Sequence, residues 1–473
     1  MKTFVIKHRY YLICQVIVLA LFFFYTELSE AGLNDGDSIT HYFISRYSWQ
    51  YPHLFLDNWG KPFFVLLSSP FAQFGYRGIQ VFNIICAVFS GWFCYRTADL
   101  LGIKFPFTAP FFLITLPVYF IAIPSGLTEI LFGLVLILSI YFLLKNQNLA
   151  AAILISFLPF CRSEGLLLIP LFGIMLLIRE KYKIIPFLGT AYLVYSLVGW
   201  HYFHDLLWVM HTNPYHGVDI YAHGPLMYFV NANRLIFGNV CGILFLIATA
   251  GYFLRKKPDT KIEIEKLNFE RIIIWGTVLV YFIAHSIFWY KGLFGSAGMW
   301  RVMAAIAPAF VLIAMRGLTT GTSFFENRKW IYYPLWIFMI GFVIYHPVSS
   351  LDLPQHLDER KTTIKKACDW VKENGLATRK IYFSDPFIKL LLELNPFDDK
   401  ISKELMYVDR QNFGSDMEPK SIIIWDAGLG KHEDQIPLVK LEDTTRFKIL
   451  KSFEAPHDMD QGVKYAVYVL ERK

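Results

Sequence analysis

The chain has 473 residues, with 45 Lys and Arg against 38 Asp and Glu, and 55% of its side chains are hydrophobic. The charges are unevenly spread: residues 1–351 hold 25 basic and 16 acidic side chains, and the remaining 122 hold 20 and 22. The front is far below the roughly 25% charge of an ordinary soluble domain, which excludes a string of soluble domains, and its basic excess fits membrane-flanking loops rather than nucleic acid.

Lys2, Lys7 and Arg9 precede a first apolar run over residues 10–28. We read it as a membrane helix and not a cleaved signal, because no small-residue cleavage site follows and further spans come after it. Runs near the roughly 20 residues that a hydrocarbon core demands recur at 78–97, 106–123, 126–144, 149–161, 165–179, 184–200, 235–254, 271–290, 302–319 and 330–347, eleven in all. The pair 149–161 and 165–179 is short and broken by Cys161-Arg162-Ser163-Glu164-Gly165. Such a polar break is tolerated in a membrane only where it faces protein or a wet cavity. Alternate loops carry 18 basic residues on one side and 7 on the other. That bias puts the N-terminus inside, and an odd number of crossings puts the tail and the loops 29–77, 201–234 and 291–301 outside. The expected location is a multi-pass protein of the cytoplasmic (inner) membrane. Six cysteines without ligand spacing read as small core hydrophobes.

After Pro347 the character changes. Ile364, Cys368 and Val371 sit at helical spacing among charges, and Gly375 is a helix stop. Strand-like runs follow at 380–383, 421–425, 447–450 and 465–470. The expectation is an all-α polytopic domain over 1–350 and a small α/β domain over 351–473, large enough for its own core.

The chemistry-bearing residues gather in the outer loops. The loop after the first span is about fifty residues long, rich in aromatics, and carries Glu30, Asp35, Asp37, His41, Asp57 and Lys61. Loops of such length are usually functional or disordered, and the aromatics argue against disorder. Ile39, Tyr42, Phe43 and Tyr47 form a helical stripe with Asp37 at its N-terminal edge, and Pro62 fits the first turn of a second interfacial helix beside Lys61.

A long first outer loop with an acidic pair, a helix, and an aromatic-Gly-Lys-Pro turn into a second interfacial helix resembles the membrane-embedded C-type (GT-C) glycosyltransferases. The nearest branch is that of protein O-mannosyltransferases and lipid A aminoarabinose transferases. In that family an Asp-Glu pair starts the loop helix and a Lys-Pro-Pro turn ends the loop, whereas this chain has Asp35-Gly36-Asp37 and Lys61-Pro62-Phe63. The resemblance therefore implies Asp37 as the catalytic acid residue, with Asp35 as the alternate. Residues 125–133 with Glu129, 160–170 with Arg162 and Glu164, and 294–318 with Arg301 resemble further elements of such enzymes.

The implied reaction is sugar transfer from a polyprenyl-phosphate donor to a lipid, glycan or protein acceptor on the outer face, with inversion. A carboxylate in hydrogen-bond reach can take the acceptor proton, and fixed cations must meet the charge growing on the leaving phosphate. Lys61, Arg162 and Arg301 lie on the correct side, and arginine binds phosphate bidentately. A lipid-activated donor also explains why no nucleotide-binding loop occurs. Glu129, Glu164, His41 and His223 are further candidates for contact with sugar or acceptor. Each has a structural alternative: Asp37 as a helix cap, Lys61 as an interfacial snorkel, Arg162 and Glu164 as a mutual salt bridge.

His201 and His204 are three apart, with Asp205 following, but no second tight pair completes a ligand set. The sequence indicates no particular cofactor, and a divalent metal stays open. The alternative function is a transporter or flippase for a lipid-linked or polar substrate. Transporters place charges near the midplane between repeated halves, and no halves are visible here. A third reading is a noncatalytic scaffold whose outer tail binds a partner.

Overall fold

The computed structural model describes residues 2–28, 36–212, 214, 222–253, 260–351, 353–354, 356–459 and 463–473. It divides into two compact units, Met1–Gly32 with Ser48–Gln355, and Leu33–Tyr47 with His356–Lys473. Residues 36–47 of the first loop thus group with the tail, not with the helices that flank them in sequence.

The helices in chain order are α1 (Lys2–Glu27), α2 (Gly36–Tyr47), α3 (Pro62–Ala72), α4 (Tyr76–Leu100), α5 (Ala109–Ile114), α6 (Pro117–Ala122), α7 (Glu129–Leu144), α8 (Asn148–Ser156), α9 (Ile169–Ile178) and α10 (Thr190–Phe203). Three single turns follow, α11 (Trp208–His211), α12 (Tyr228–Asn231) and α13 (Asn233–Ile236), then α14 (Asn239–Phe253), α15 (Lys261–Phe269), α16 (Gly276–Lys291), α17 (Ala307–Ser323) and α18 (Lys329–Ser350). The tail adds α19 (Glu359–Glu373), α20 (Pro386–Leu391) and α21 (Leu429–His432).

Among the described residues, six helical stretches are long and apolar enough to cross a membrane: Val5–Glu27, Tyr76–Leu100, Tyr182–Phe203, Glu263–Lys291, Trp300–Ser323 and Lys329–Ser350. Each has at least 22 residues, so at 1.5 Å per residue each reaches about 33 Å or more. Shorter apolar helices cover Pro62–Ala72, Glu129–Leu144, Asn148–Phe160, Ser163–Ile178 and Asn239–Phe253. The run 106–123, expected as one span, is instead two six-residue helices, α5 and α6. Proline explains the break: Leu116 is extended, with ψ 128°, because the ring of Pro117 excludes the helical conformation from the residue before it.

Within the first unit, α1 and α18 expose apolar side chains such as Ile6, Val16, Phe24, Ile337 and Phe342, as lipid-facing helices do. By contrast α17 is buried almost throughout. Gly317 lets it approach α14 closely, since a Cβ there would lie 1.9 Å from the carbonyl oxygen of Leu244. Small residues at such crossings permit backbone contact where no hydrophobic drive separates helix from lipid. Phe237 and Phe310 stack alongside at 3.7 Å between ring centres.

The second unit is built on a five-stranded sheet of β1 (Ile381–Phe383), β2 (Ser402–Glu404), β3 (Ile422–Asp426), β4 (Phe447–Met459) and β5 (Val463–Arg472), in the order β2-β1-β3-β5-β4. The first three strands are parallel and β5 runs antiparallel to β3 and β4. Asp358 caps α19 by accepting from the Lys361 amide at 2.7 Å, and Gly375 follows the helix with φ +67°, the left-handed stop favoured by glycine. The buried stripe Ile364, Ala367, Cys368 and Val371 packs on β4 and β5. The core includes Tyr382, Leu405, Ile423, Trp425, Phe447 and Leu470.

Candidate functional site

The first unit gathers a buried to half-buried cluster of opposite charges around the polar break at residues 161–165. Gly165 brings the break into place: it sits in the 3-10 turn Ser163–Leu167, where a Cβ would lie 2.6 Å from the Leu158 carbonyl carbon. Only glycine lets this turn fold back on the segment Leu158–Phe160. Arg162, extended at the turn's N-cap, then points its guanidinium at two carboxylates. Nη1 lies 2.8 Å from Oε1 of Glu129, and Nη2 donates to Oε1 of Glu164 at 2.9 Å. Nη1 also donates to the Thr128 hydroxyl at 3.3 Å.

Glu129 opens α7 and has no exposed surface. A carboxylate in the first turn is favoured by the helix dipole, but at that depth it also needs a cation. The expected salt bridge between Arg162 and Glu164 is present, and Arg162 serves both acids at once.

Lys61 joins the same cluster from the other end of the sequence. It is 4% exposed, and its Nζ donates to the Asn58 carbonyl at 2.8 Å and the Ser163 hydroxyl at 3.0 Å. Its backbone has φ +67°, in the sparsely populated left-handed region where a non-glycine residue marks a constrained, often functional, position. The turn is held by Asp57, whose Oδ1 accepts from the Gly60 amide, and by Asn58, whose side chain donates to the Val209 carbonyl at 2.8 Å. Pro62 at the first position of α3 lacks the amide that a helix start leaves unused. Burial pushes the Lys61 ammonium down to about 8, Glu164 opposing the shift and Arg162 adding to it. A lysine of this kind gains charge and binding strength when an anion arrives.

Two residues that sequence reasoning treated as plain span complete the cluster. His285 of α16 is buried, with Nε2 3.8 Å from Glu164 Oε1, and its ring lies 4.5 Å from that of Tyr281, which has no exposed surface. The available signal was a histidine inside an apolar helix, a functional hypothesis by default in a membrane segment.

The remaining expected residues are placed as follows. Arg301 is the second residue of the 3-10 segment Trp300–Ile306, which packs on α7, the helix that Glu129 begins. His223 is exposed, beside Gly224, whose amide reaches the Trp289 carbonyl. Asp37 lies in the first turn of α2 and His41 one turn on, buried; both belong to the second unit. Asp35 and Glu30 lie outside the described residues. His204 ends α10 in a left-handed conformation, and His211 pairs with Asp205 at 2.6 Å. Among the described residues no group of three or more His, Cys, Asp or Glu could hold a metal ion.

The fold is similar to that of ArnT. The crystal structure of ArnT from Cupriavidus metallidurans bound to undecaprenyl phosphate superposes with TM-score 0.57 at 11% sequence identity, covering 97% of each chain. The apo-state structure gives TM-score 0.55 at the same identity and coverage. No family model and no curated protein matches the chain. ArnT is a lipid A aminoarabinose transferase with the GT-C fold, so the resemblance drawn from the first-loop motifs holds at the level of fold. Taken with the six long apolar helices, the chain is a multi-pass membrane protein of that architecture with a small C-terminal sheet domain.

Proposed function

We propose that this chain is an integral-membrane glycosyltransferase that moves a sugar from a polyprenyl-phosphate donor to an acceptor hydroxyl. The observation that carries the reading is the buried Lys61 together with the half-buried Arg162, cations held at a polar break between apolar segments. It stands in a fold shared with a protein crystallised with undecaprenyl phosphate. A site of this chemistry suits a phosphate carried by a lipid, because cations preorganised in a water-poor setting stabilise charge as it develops.

In the proposed reaction the acceptor oxygen attacks the anomeric carbon, the bond from that carbon to the donor phosphate breaks, and the configuration inverts. The acceptor proton passes to Asp37, with Asp35 as the alternate base. Lys61, Arg162 and Arg301 meet the leaving phosphate, while Glu129, Glu164, His41 and His223 serve sugar or acceptor. The chain crosses the inner membrane eleven times with its N-terminus inside, α5 and α6 together making one crossing interrupted at Pro117, so the tail domain over 351–473 and the first loop face outward.

The test is to incubate the purified protein in lipid nanodiscs with a panel of polyprenyl-phosphate sugars and candidate acceptors, and to analyse products by mass spectrometry. Release of polyprenyl phosphate with formation of a glycosylated acceptor is expected. Transport of the intact lipid-linked sugar without bond cleavage would replace this reading with the flippase one.

A further inference from the structure

We propose that Lys389 of the C-terminal unit is a positioning residue for the reaction, holding the helix that bears Asp37. The tail domain then acts as the mount of the general base; this rests on the role given to Asp37 above.

α2 packs on α20 through its first two turns and on the segment after α20 at its end, all within one unit. At its start, the Cβ position of Gly36 is 3.4 Å from the Pro386 ring. One turn on, Thr40 Oγ1 accepts from Lys389 Nζ at 3.4 Å. The same ammonium lies 5.6 Å from the Phe43 ring centre, and at the far end Tyr47 meets Phe397 edge-on at 6.0 Å. Asp37 is three residues before Thr40, hence on the same side of the helix.

Lys389 is 2% exposed. A buried ammonium must be satisfied by directional partners, and this one has three of different kinds: the Glu404 carboxylate at 2.7 Å, the Thr40 hydroxyl and the Phe43 ring. Glu404 belongs to β2, so one partner is fixed to the sheet while the other two belong to α2. The helix carrying Lys389 is itself pinned. Asp385 caps it by accepting from the Phe387 amide at 2.8 Å, and also accepts from Arg360 of α19 at 3.1 Å. Rigidity therefore passes from the sheet and α19 through α20 to the one helix of the first loop that carries the catalytic carboxylate. A general base displaced by about 1 Å can lose on the order of a hundred-fold in rate, so such a mount has a direct kinetic consequence.

The experiment uses the full-length protein in nanodiscs with Lys389→Met, Lys389→Arg and Thr40→Val, and Lys403→Gln as a control on the exposed side of β2. In Lys389→Met, amide hydrogen exchange over 36–47 should quicken by about ten-fold while that of β3 is unchanged. In the same variant kcat should fall about ten- to a hundred-fold, with KM for the donor held within about two-fold. Lys389→Arg should restore most of both readouts, and Thr40→Val should shift both in the same direction by less, which decides the matter if Lys389→Met does not fold. Unchanged exchange over α2 in Lys389→Met and Thr40→Val would overturn the inference, as would faster exchange with full kcat in a protein that Asp37→Asn inactivates. If Asp37→Asn itself stays active, the role of Asp37 fails instead, and the exchange readout still reports whether Lys389 holds α2.

Discussion

Arg162 Nη1 lies 2.8 Å from Oε1 of Glu129, a carboxylate with no exposed surface, and the same guanidinium donates at 2.9 Å to Glu164. One side chain thus neutralises two acids inside a polar interruption of apolar sequence. Removing it takes away the 2.8 Å ion pair of the buried Glu129. Arg162→Met should destabilise the protein by about 3–5 kcal/mol, the range for breaking a buried pair from one side. The double change Arg162→Met with Glu129→Gln should recover most of that, because position 129 then buries no charge. Thermal melting in detergent checks both; a single variant that melts like the parent would show that the network is solvated.

On the proposed function, binding of a polyprenyl phosphate should weaken as pH rises through about 8, the value to which burial lowers Lys61. The sign follows from linkage: the anion binds the ammonium form, so binding takes up a proton wherever free Lys61 is neutral. A phosphate monoester is already dianionic there, its second pKa being about 6, so the ligand itself adds no opposing change. Affinity should drop by at most about ten-fold per pH unit above that point. Titration calorimetry between pH 6.5 and 9.5, values chosen to span roughly the range of interest, should show the fall, and Lys61→Met should flatten it.

On the role proposed for Asp37, Asp37→Asn should lower kcat by about a hundred- to ten-thousand-fold, the usual contribution of a general base. Polyprenyl-phosphate binding should be little changed, since the asparagine keeps the shape and loses only the charge. Single-turnover product formation beside equilibrium binding separates the two. A variant that turns over normally moves the base to another residue.

The tail domain should be more stable near pH 5 than near pH 8. Burial raises the Asp426 carboxyl to about 6, Asp385 adding to the shift and Arg360 with the Leu429 amide opposing it. A raised carboxyl binds its proton more tightly in the folded state, so stability grows as pH falls through about 6 and the gain is complete below the unfolded value near 3.9. Asp426→Asn keeps an oxygen for the Gly428 and Leu429 amides and the Tyr465 hydroxyl. It should remove much of this dependence and stabilise the domain at pH 8 by on the order of 1–3 kcal/mol. Hydrogen exchange of β3 amides as a function of pH checks it; an unchanged profile would show that Asp426 does not titrate in this range.

Much of the architecture was legible in composition and periodicity. Apolar length alone marked the long spans, because hydrocarbon accepts only helices that satisfy their own backbone. Ile364, Cys368 and Val371 marked α19 by their spacing, and short apolar runs marked β1, β3, β4 and β5, since such patterns are local properties of the chain. The polar break at Arg162 and Glu164 stood out for a similar reason: a charge in an apolar run needs a partner. The break of the run 106–123 into α5 and α6 was also written locally, in Pro117, although hydrophobic length outweighed it in the sequence reading.

What tertiary structure alone decided is partnership across sequence distance. Nothing local says that Lys61 reaches Ser163, that Arg162 chooses Glu129, or that His285 of a seemingly ordinary span faces Glu164. Nor does any period in residues 36–47 announce Lys389, some 350 positions away, as the neighbour of Thr40. Helices and strands arise from contacts between residues a few positions apart, so a pattern along the chain reports them. Ion pairs and buried hydrogen bonds arise from chain segments folded together, and their identity depends on the packing of elements whose order in space the sequence does not spell out.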